Sequence, residues 1–356
     1  MKKIVKFLNK NLLIISIIAI LLIIVFRIKY EGFADTTEYD IVIIAGQSNA
    51  VGNGLQYFQP HYKGMTKEQI DEPLYDDPYF QEDKKNIDSP SSSDTLRKRI
   101  KSFNKSNQIV VAQDPIEHFP ETSIKYNQKP QGFGISFARQ YVKEKKKDVM
   151  LLGCAMGSTA FNYCGPANGG ANKGTGKNFG WQQGSNPQTP CDGDCCSLFK
   201  MSKVRIDNLK AIISPNSKVV AILWLQGEQD APSIGNGSSY KNGVAQMLKD
   251  LCSYAVKQFP KSSNPPILLG GLSIRENSVA HMNPIIEEIV RNNSGSNFKF
   301  VPSDDSLGKN VPRFAHNLRP NGRGDFGERV HFSRMAQIEY GYRYYYVFNN
   351  NSISFT

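Results

Sequence analysis

The sequence predicts a single three-layer α/β/α domain built on a five-stranded parallel sheet. Five aliphatic runs are almost uninterrupted by polar residues, which is typical of strands buried on both faces. Segments with helical spacing lie between these runs, and alternation of strand and helix is typical of a parallel sheet covered by helices. At 356 residues, the chain is long enough to bury a large core in one such domain.

Each predicted strand is a short aliphatic run that ends in a polar or glycine-containing turn. The strands are predicted over Asp40–Gly46, Asp148–Ala155, Lys218–Gln226, Pro266–Ser273 and Phe298–Pro302. The helices are predicted over Gly134–Lys147, Phe199–Ile213, Ser239–Phe259, His281–Asn293 and Ser333–Phe348. The domain is therefore predicted to span residues 40–348, with a tail at 349–356. Two polar segments, 56–106 and 162–196, interrupt the pattern and are predicted to be insertions.

The N-terminal segment is predicted to be an anchor helix that precedes the domain. Leu12 to Phe26 is an apolar run broken only by Ser16, with four lysines before it and two basic residues after it. This charge excess favours an uncleaved signal anchor over residues 1–29 and a short stalk over residues 30–39, with the domain on the extracytoplasmic side of a membrane. A cleaved signal peptide is the alternative, because the run is shorter than the roughly 20 residues of a spanning helix.

The charge and the cysteines limit the classes of partner and cofactor. The formal net charge is +11, but six basic residues lie within residues 1–29, so the domain itself is only mildly basic. Leu96–Lys105 is a basic run that we interpret as a solvated surface, and no nucleic-acid partner is predicted. The six cysteines follow the apolar run, which is compatible with disulfides in an exported domain. The rival interpretation of Cys191–Cys196 is a metal site, but zinc-type spacing is lacking, so no metal or other cofactor is predicted.

Four polar motifs follow predicted strands or precede the last helix. They are "GQSN" from Gly46, "CAMGST" from Cys154, "WLQGEQD" from Trp224 and "GERVHFS" from Gly327. Ligands of parallel α/β sheets bind beyond the carboxyl ends of the strands, so these motifs are the candidates for a site. The amide of Gln226 could donate to a developing oxyanion, and Glu328 stands three residues before His331, as an orienting carboxylate would. Taken alone, each motif is also compatible with an ordinary turn.

The four motifs, in this order, resemble those of the SGNH hydrolase superfamily, and more narrowly its sialate O-acetylesterase and acetylxylan-esterase branch. The resemblance covers roughly Asp40 to Phe348, apart from the two insertions. It implies that Ser48 is the nucleophile and that His331 is the general base. It also implies an oxyanion hole formed by the backbone N–H groups of Ser48 and Gly157 and the side-chain amide of Gln226.

The resemblance leaves one catalytic assignment open. The family has an aspartate three residues before the histidine, whereas this chain has Glu328 there, and Asp325 is the alternative orienting acid. The resemblance further implies that Gln47, Asn49 and Glu228 contact the substrate.

The function implied is that of a serine esterase that removes O-acetyl groups from sialic acid or another acetylated glycan. No cofactor is required for this chemistry, and the oligomeric state stays open. Two alternatives remain at the sequence level: a catalytically inactive glycan-binding or structural surface protein, and a lipase or thioesterase of the wider superfamily.

Overall fold

A mostly parallel sheet forms the centre of the domain. The computed structural model describes residues 16–17, 35–52, 94–120, 130–161, 178–182, 191–192, 195–235, 237–274, 277–309, 318 and 330–349. Within these residues, the strands of the central sheet are β1 (Asp40–Gly46), β2 (Ile100–Phe103), β3 (Ile109–Val111), β4 (Val149–Ala155), β8 (Lys218–Leu225), β9 (Ile267–Gly270) and β10 (Phe298–Val301). Their order in the sheet is β10-β9-β8-β1-β4-β2-β3.

The sheet contains the five predicted strands and two additional strands, β2 and β3, at one edge. All neighbouring pairs are parallel except β2 with β3, which is antiparallel. The prediction of a five-stranded, wholly parallel sheet was therefore wrong in strand number and in the direction of β3. These two strands have only four and three residues, and β2 lies in the polar segment 56–106 that was predicted to be an insertion.

Five long helices cover the sheet in two groups. The α-helices of the described residues are α1 (Ser48–Val51), α2 (Thr95–Lys98), α3 (Gly134–Lys145), α4 (Leu198–Lys210), α5 (Ser238–Gln258), α6 (Asn277–Ala280), α7 (Met282–Asn292) and α8 (Arg334–Asn349). The helices α3 and α8 pack against each other, while α5 packs against both α4 and α7. Both groups also contact the sheet, which gives the predicted order of helix, sheet and helix.

A second, small sheet lies within the predicted insertion at 162–196. Its strands are β5 (Asn178–Gly180), β6 (Cys191–Asp192) and β7 (Cys195–Ser197), in the order β5-β7-β6. Cys195 and Cys196 are disulfide-bonded. Cys154 and Cys252 are free, so at most four of the six cysteines can be paired.

The C-terminal half of the predicted stalk contacts the domain. The N–H of Asp35 donates to the carbonyl of Ile212 (3.0 Å), and the N–H of Tyr39 donates to Ser217 Oγ (3.1 Å). The Tyr39 hydroxyl donates to Asp35 Oδ2 (2.6 Å). Residues of the predicted stalk are therefore hydrogen-bonded to the domain.

The predicted anchor helix lies outside the described residues, apart from residues 16–17. In the part of the chain that the structure describes, no helix is both long enough and apolar enough to cross a bilayer.

Strand β1 lies between β4 and β8, and this position creates the site. Gly46, its last residue, is level with Ala155 of β4 and Leu225 of β8. The chain reaches β4 through α3, on one side of the sheet, and then crosses β1 through α4, on the other side, to reach β8. The two connections leave a crevice at the carboxyl end of β1, which is where ligands bind in open α/β sheets.

Candidate active site

Ser48 begins the short helix α1, directly after β1. A tight turn brings it there: Gly46 has φ +138°, and a Cβ at this position would lie 2.0 Å from the carbonyl oxygen of Leu225. Only glycine fits, because both the φ angle and the contact with the neighbouring strand exclude a side chain. Ser48 is consequently held at the carboxyl end of β1, which is the switch point where the connections on either side of β1 diverge. Only 5% of its surface is exposed.

His331 lies against Ser48, although 283 positions separate the two residues in the sequence. Its Nε2 is 2.6 Å from Ser48 Oγ, which is a hydrogen-bonding distance. When Nε2 carries no proton, the serine hydroxyl donates to it, and this is the contact that activates a serine nucleophile. The two residues that the resemblance named as nucleophile and base are thus brought together.

Gly157 faces Ser48 from the end of β4. A Cβ built on Gly157 would lie 3.7 Å from Ser48 Cβ, and the N–H of the preceding residue, Met156, donates to the carbonyl of Gly46 (3.1 Å). The β4 turn is therefore tied to the β1 turn. The backbone of Gly157 lies beside the nucleophile without a side chain between them.

The Gln226 side chain is bonded to other protein groups. Its Nε2 donates to Asp230 Oδ2 (2.6 Å) and to the carbonyl of Thr159 (3.2 Å), and its Oε1 accepts from the Tyr240 hydroxyl (3.0 Å). It is fully buried. Both amide hydrogens have protein acceptors, so these contacts make Gln226 an anchor for the loops around Ser48, and its donation to an oxyanion stays a prediction.

Asp230 is a buried site residue that our sequence analysis did not assign. Its Oδ2 accepts from Gln226 Nε2 and from the backbone N–H of Phe161 (2.7 Å). The motif "WLQGEQD" already contained it, four residues after Gln226, and that spacing was the only signal in the sequence. Asp230 joins the loop after β8 to the loop after β4.

Gln47 and Asn49 flank the nucleophile in the sequence, and both are buried. Gln47 Oε1 lies 3.4 Å from the N–H of Gln229 and 3.5 Å from Gln226 Nε2, which are long contacts. Asn49 Nδ2 donates to Glu228 Oε1 (2.7 Å) and to the carbonyl of Val330 (3.1 Å). These contacts are internal to the protein, whereas the resemblance implied contacts with the substrate.

Glu228 is a buried acid beside His331, with 7% of its surface exposed. Burial raises the pKa of its carboxyl group, while the hydrogen bond from Asn49 and the charge of a protonated His331 oppose that rise. Its Oε2 is buried and accepts no hydrogen bond from the described residues.

The two candidate orienting acids, Glu328 and Asp325, lie outside the described residues. In the part of the chain that is described, there is no group of three side chains able to hold a metal ion. Of the other histidines, His118 is buried and His281 bonds to main-chain oxygens. His61 and His316 are not described.

A serine hydroxyl bonded to an imidazole at the switch point of an α/β sheet is an arrangement typical of carboxylic ester hydrolases, and this chain is one of them. It belongs to the family described as carbohydrate esterase, sialic acid-specific acetylesterase, whose sequence profile matches residues 38–349. No curated protein sequence matches the chain.

Solved structures of other proteins are similar to this chain to different degrees. A protein from Arabidopsis thaliana is similar with a TM-score of 0.53 at 17% identity, over 88% of this chain and 98% of that one. The protein NanS is similar with a TM-score of 0.53 at 16% identity, over 88% and 98% of the two chains. A carbohydrate acetylesterase from Xanthomonas citri has a TM-score of 0.42 at 11% identity, over 86% and 54%.

Proposed function

We propose that this protein is a serine esterase that removes O-acetyl groups from carbohydrate, with Ser48 as nucleophile and His331 as general base. The observation that carries the proposal is the 2.6 Å contact between His331 Nε2 and Ser48 Oγ at the carboxyl end of β1. An inactive glycan-binding protein would not need this contact, so it favours an enzyme.

The reaction proceeds through an acetyl-enzyme. Ser48 Oγ attacks the carbonyl carbon of the acetyl ester while its proton passes to His331 Nε2. The tetrahedral intermediate collapses, the ester bond to the sugar oxygen breaks, and His331 returns the proton to the departing hydroxyl. His331 then takes a proton from a water molecule, which attacks the acetyl-serine. The bond to Ser48 Oγ breaks, His331 returns the proton to Ser48, and acetate leaves.

Backbone N–H groups stabilise the oxyanion in this proposal. Ser48 is the first residue of α1, where the N–H groups have no acceptor within the helix. Gly157 lies against Ser48 and contributes the second N–H. Loss of one such donor typically costs about 100-fold or more in kcat.

The family to which the chain belongs supports the proposed substrate class. Its description names sialic acid-specific acetylesterases, so O-acetylated sialic acid is the first substrate to test. Acetylated xylan is the second, because the motifs also resemble acetylxylan esterases.

The direct test is hydrolysis of 4-nitrophenyl acetate and of O-acetylated sialic acid by the full chain. We expect Ser48→Ala and His331→Ala each to lower kcat/KM by at least about 1,000-fold, because the two residues act as one unit. Ser239→Ala, on the exposed face of α5, is the matched control and should behave as wild type. Equal hydrolysis by wild type and Ser48→Ala would refute the proposal.

Glu328 is our proposal for the acid that orients His331, with Asp325 as the alternative. We expect Glu328→Gln to lower kcat by about 100-fold and Asp325→Asn to have the smaller effect, because only the acid bonded to the imidazole holds it in the productive tautomer. The reverse ranking would assign the role to Asp325.

We also propose that the domain faces the extracytoplasmic side of a membrane, anchored by residues 1–29. The charge distribution around the apolar run and the disulfide-bonded Cys195 and Cys196 support this location. Protease protection in membrane vesicles tests it, and a domain accessible from the cytosolic side would contradict it.

A further inference from the structure

Asn49 uses the full hydrogen-bonding capacity of its side chain inside the protein. Nδ2 donates to Glu228 Oε1 and to the carbonyl of Val330. Oδ1 accepts from the N–H of Phe332 (3.0 Å) and from Gln337 Nε2 (3.3 Å). An asparagine side chain has two donors and two acceptor sites, so none remains for a substrate. Asn49 is also fully buried, which excludes direct contact with a ligand.

Two of these hydrogen bonds hold the main chain on both sides of His331. The carbonyl of Val330 and the N–H of Phe332 are the backbone groups nearest to residue 331 in either direction, and one amide binds both. Ser48 is the neighbour of Asn49 in the chain. The Asn49 amide, which binds the backbone around His331, is therefore one residue away from the Ser48 hydroxyl that His331 contacts.

Glu228 adds to the contacts that fix the orientation of the Asn49 amide. If this amide were rotated by 180°, Nδ2 would face the N–H of Phe332, which places two donors together, and Oδ1 would face the carbonyl of Val330. Glu228 Oε1 lies 2.7 Å from Nδ2 and accepts a hydrogen bond there. An acceptor at this position stabilises the orientation that binds both flanks of His331.

The position of Glu228 is energetically demanding. One carboxyl oxygen, Oε2, is buried without a hydrogen bond from the described residues, and burial of such a group is unfavourable. Its other oxygen makes the contact with Asn49. The hydrogen bond from Asn49 gives this buried side chain a structural role.

We propose that Glu228 is a positioning residue for His331: it fixes the amide of Asn49, and Asn49 fixes the backbone on both sides of the histidine. The inference rests on the proposed function, in which His331 takes the proton of Ser48. It replaces the substrate-binding role that the family resemblance implied for Asn49 and Glu228. A small displacement of the base is enough to lower kcat by about 100-fold.

The first experiment compares Glu228→Leu with Glu228→Gln in the full chain. We expect Glu228→Leu to lower kcat by about 100-fold with KM changed less than about threefold, equally for 4-nitrophenyl acetate and O-acetylated sialic acid. Glu228→Gln retains an oxygen that can accept from Asn49 and should recover most of this loss. Glu288→Leu, which removes an acid from the surface pair with Lys241, is the matched control and should keep the wild-type kcat.

The second experiment uses isosteric changes, so that failure to fold does not obscure the result. Asn49→Asp places a carboxylate oxygen against Glu228 Oε1 and should lower kcat by about 100-fold. Adding Glu228→Gln to Asn49→Asp supplies a donor for that oxygen, and we expect the double variant to be at least about 10-fold more active than Asn49→Asp alone. Thermal melts of each variant verify that the fold is intact.

Several outcomes would overturn the inference. They are a wild-type kcat for Glu228→Leu, a loss confined to the carbohydrate substrate with a raised KM, and additive effects in the double variant. An active Ser48→Ala variant would instead refute the proposed function, so the two failures are distinguishable.

Discussion

His118 is a buried histidine whose position fixes its protonation state. Its Nδ1 accepts a hydrogen bond from the N–H of Ala155 (3.0 Å), at the end of β4, which requires an unprotonated nitrogen. Burial, together with the positive charge of Arg205, lowers the pKa of the imidazole to about 3. The histidine is therefore neutral in the folded protein and supports the turn that carries Gly157.

This pKa predicts how stability depends on pH. In the unfolded chain the imidazole titrates near 6.5, so below that pH only the unfolded state binds the proton. The contribution of His118 is complete above pH 6.5 and is lost as the pH falls toward 3, at up to about 1.4 kcal/mol per pH unit. We expect urea unfolding of His118→Asn to show a flatter decline than wild type between pH 6.5 and 4. The exposed His281→Asn variant should keep the wild-type decline, and an unchanged decline in His118→Asn would contradict the prediction.

Individual site residues differed in how far the sequence could predict them. Ser48 and His331 were predicted from the order of four motifs, and their 2.6 Å contact agrees with that pairing. The contacts of Gln226 with Asp230 and Thr159 could not be predicted, because they join the loop after β8 to the loop after β4. A motif specifies which side chains are present, whereas their partners depend on the tertiary arrangement.

The closing helix α8 is attached to the sheet by polar side chains as well as by apolar packing. The hydroxyl of Tyr340 donates to the carbonyl of Gly271 (2.7 Å), and that of Tyr344 donates to the carbonyl of Trp224 (2.8 Å). In the same helix, Arg343 Nη2 lies 2.6 Å from Glu339 Oε1, and both side chains are fully buried. These contacts fix the helix that follows the His331 segment.

The buried pair in α8 is predicted to be important for stability. Glu339→Leu removes the carboxylate partner of Arg343 and should lower the free energy of unfolding by about 3–5 kcal/mol, because a buried charge loses its counter-charge. Glu339→Gln keeps an oxygen for the guanidinium group and should cost less. Urea unfolding measures both. Asp148→Asn, in the partly exposed pair with Arg99, is the control and should cost less than about 1 kcal/mol.

The accuracy of the element predictions depended on element length and burial. The run at β1 was predicted with its observed bounds, since all seven of its residues are buried and aliphatic residues dominate it. The strands β2 and β3 were missed because they are short, and β3 has no fully buried residue. Pairing with β4 stabilises β2, and pairing with β2 stabilises β3, so their formation depends on neighbours that are distant in the sequence.

At the scale of the whole molecule, part of the predicted stalk is hydrogen-bonded to the domain. Residues 30–39 were predicted to be a stalk, but Asp35 bonds to Ile212 and to the Tyr39 hydroxyl. The family profile begins at residue 38, inside this contact region. A soluble version of the protein therefore needs residues that the sequence pattern alone assigned to the stalk.

Two truncated chains test this boundary. A chain that starts at Gly32 should be more stable than one that starts at Glu38 by about 1–3 kcal/mol, because the shorter chain loses the Asp35 hydrogen bonds. Urea unfolding of both chains provides the measurement. Asp35→Ala in the longer chain should reproduce part of the difference, and equal stability of the two chains would contradict the prediction.

The overall architecture was the most predictable property of the molecule. Strands buried on both faces and the helices between them specify a parallel α/β sheet with few alternative topologies. The strand order places β1 between β4 and β8 and thereby creates the crevice that holds Ser48. The small sheet β5-β7-β6 was not predicted, since its strands of two or three residues lie in a segment rich in Gly and Asn.

Ser48 and Asn49 are consecutive residues, and this adjacency has a mechanical consequence. One peptide bond joins the nucleophile to the amide that holds the backbone around His331. Because Asn49 lies in α1, a displacement of this helix acts both on Ser48 and on the hydrogen bonds that hold the His331 segment. The distance across which the catalytic proton passes is therefore less sensitive to a displacement of α1 than it would be without these hydrogen bonds.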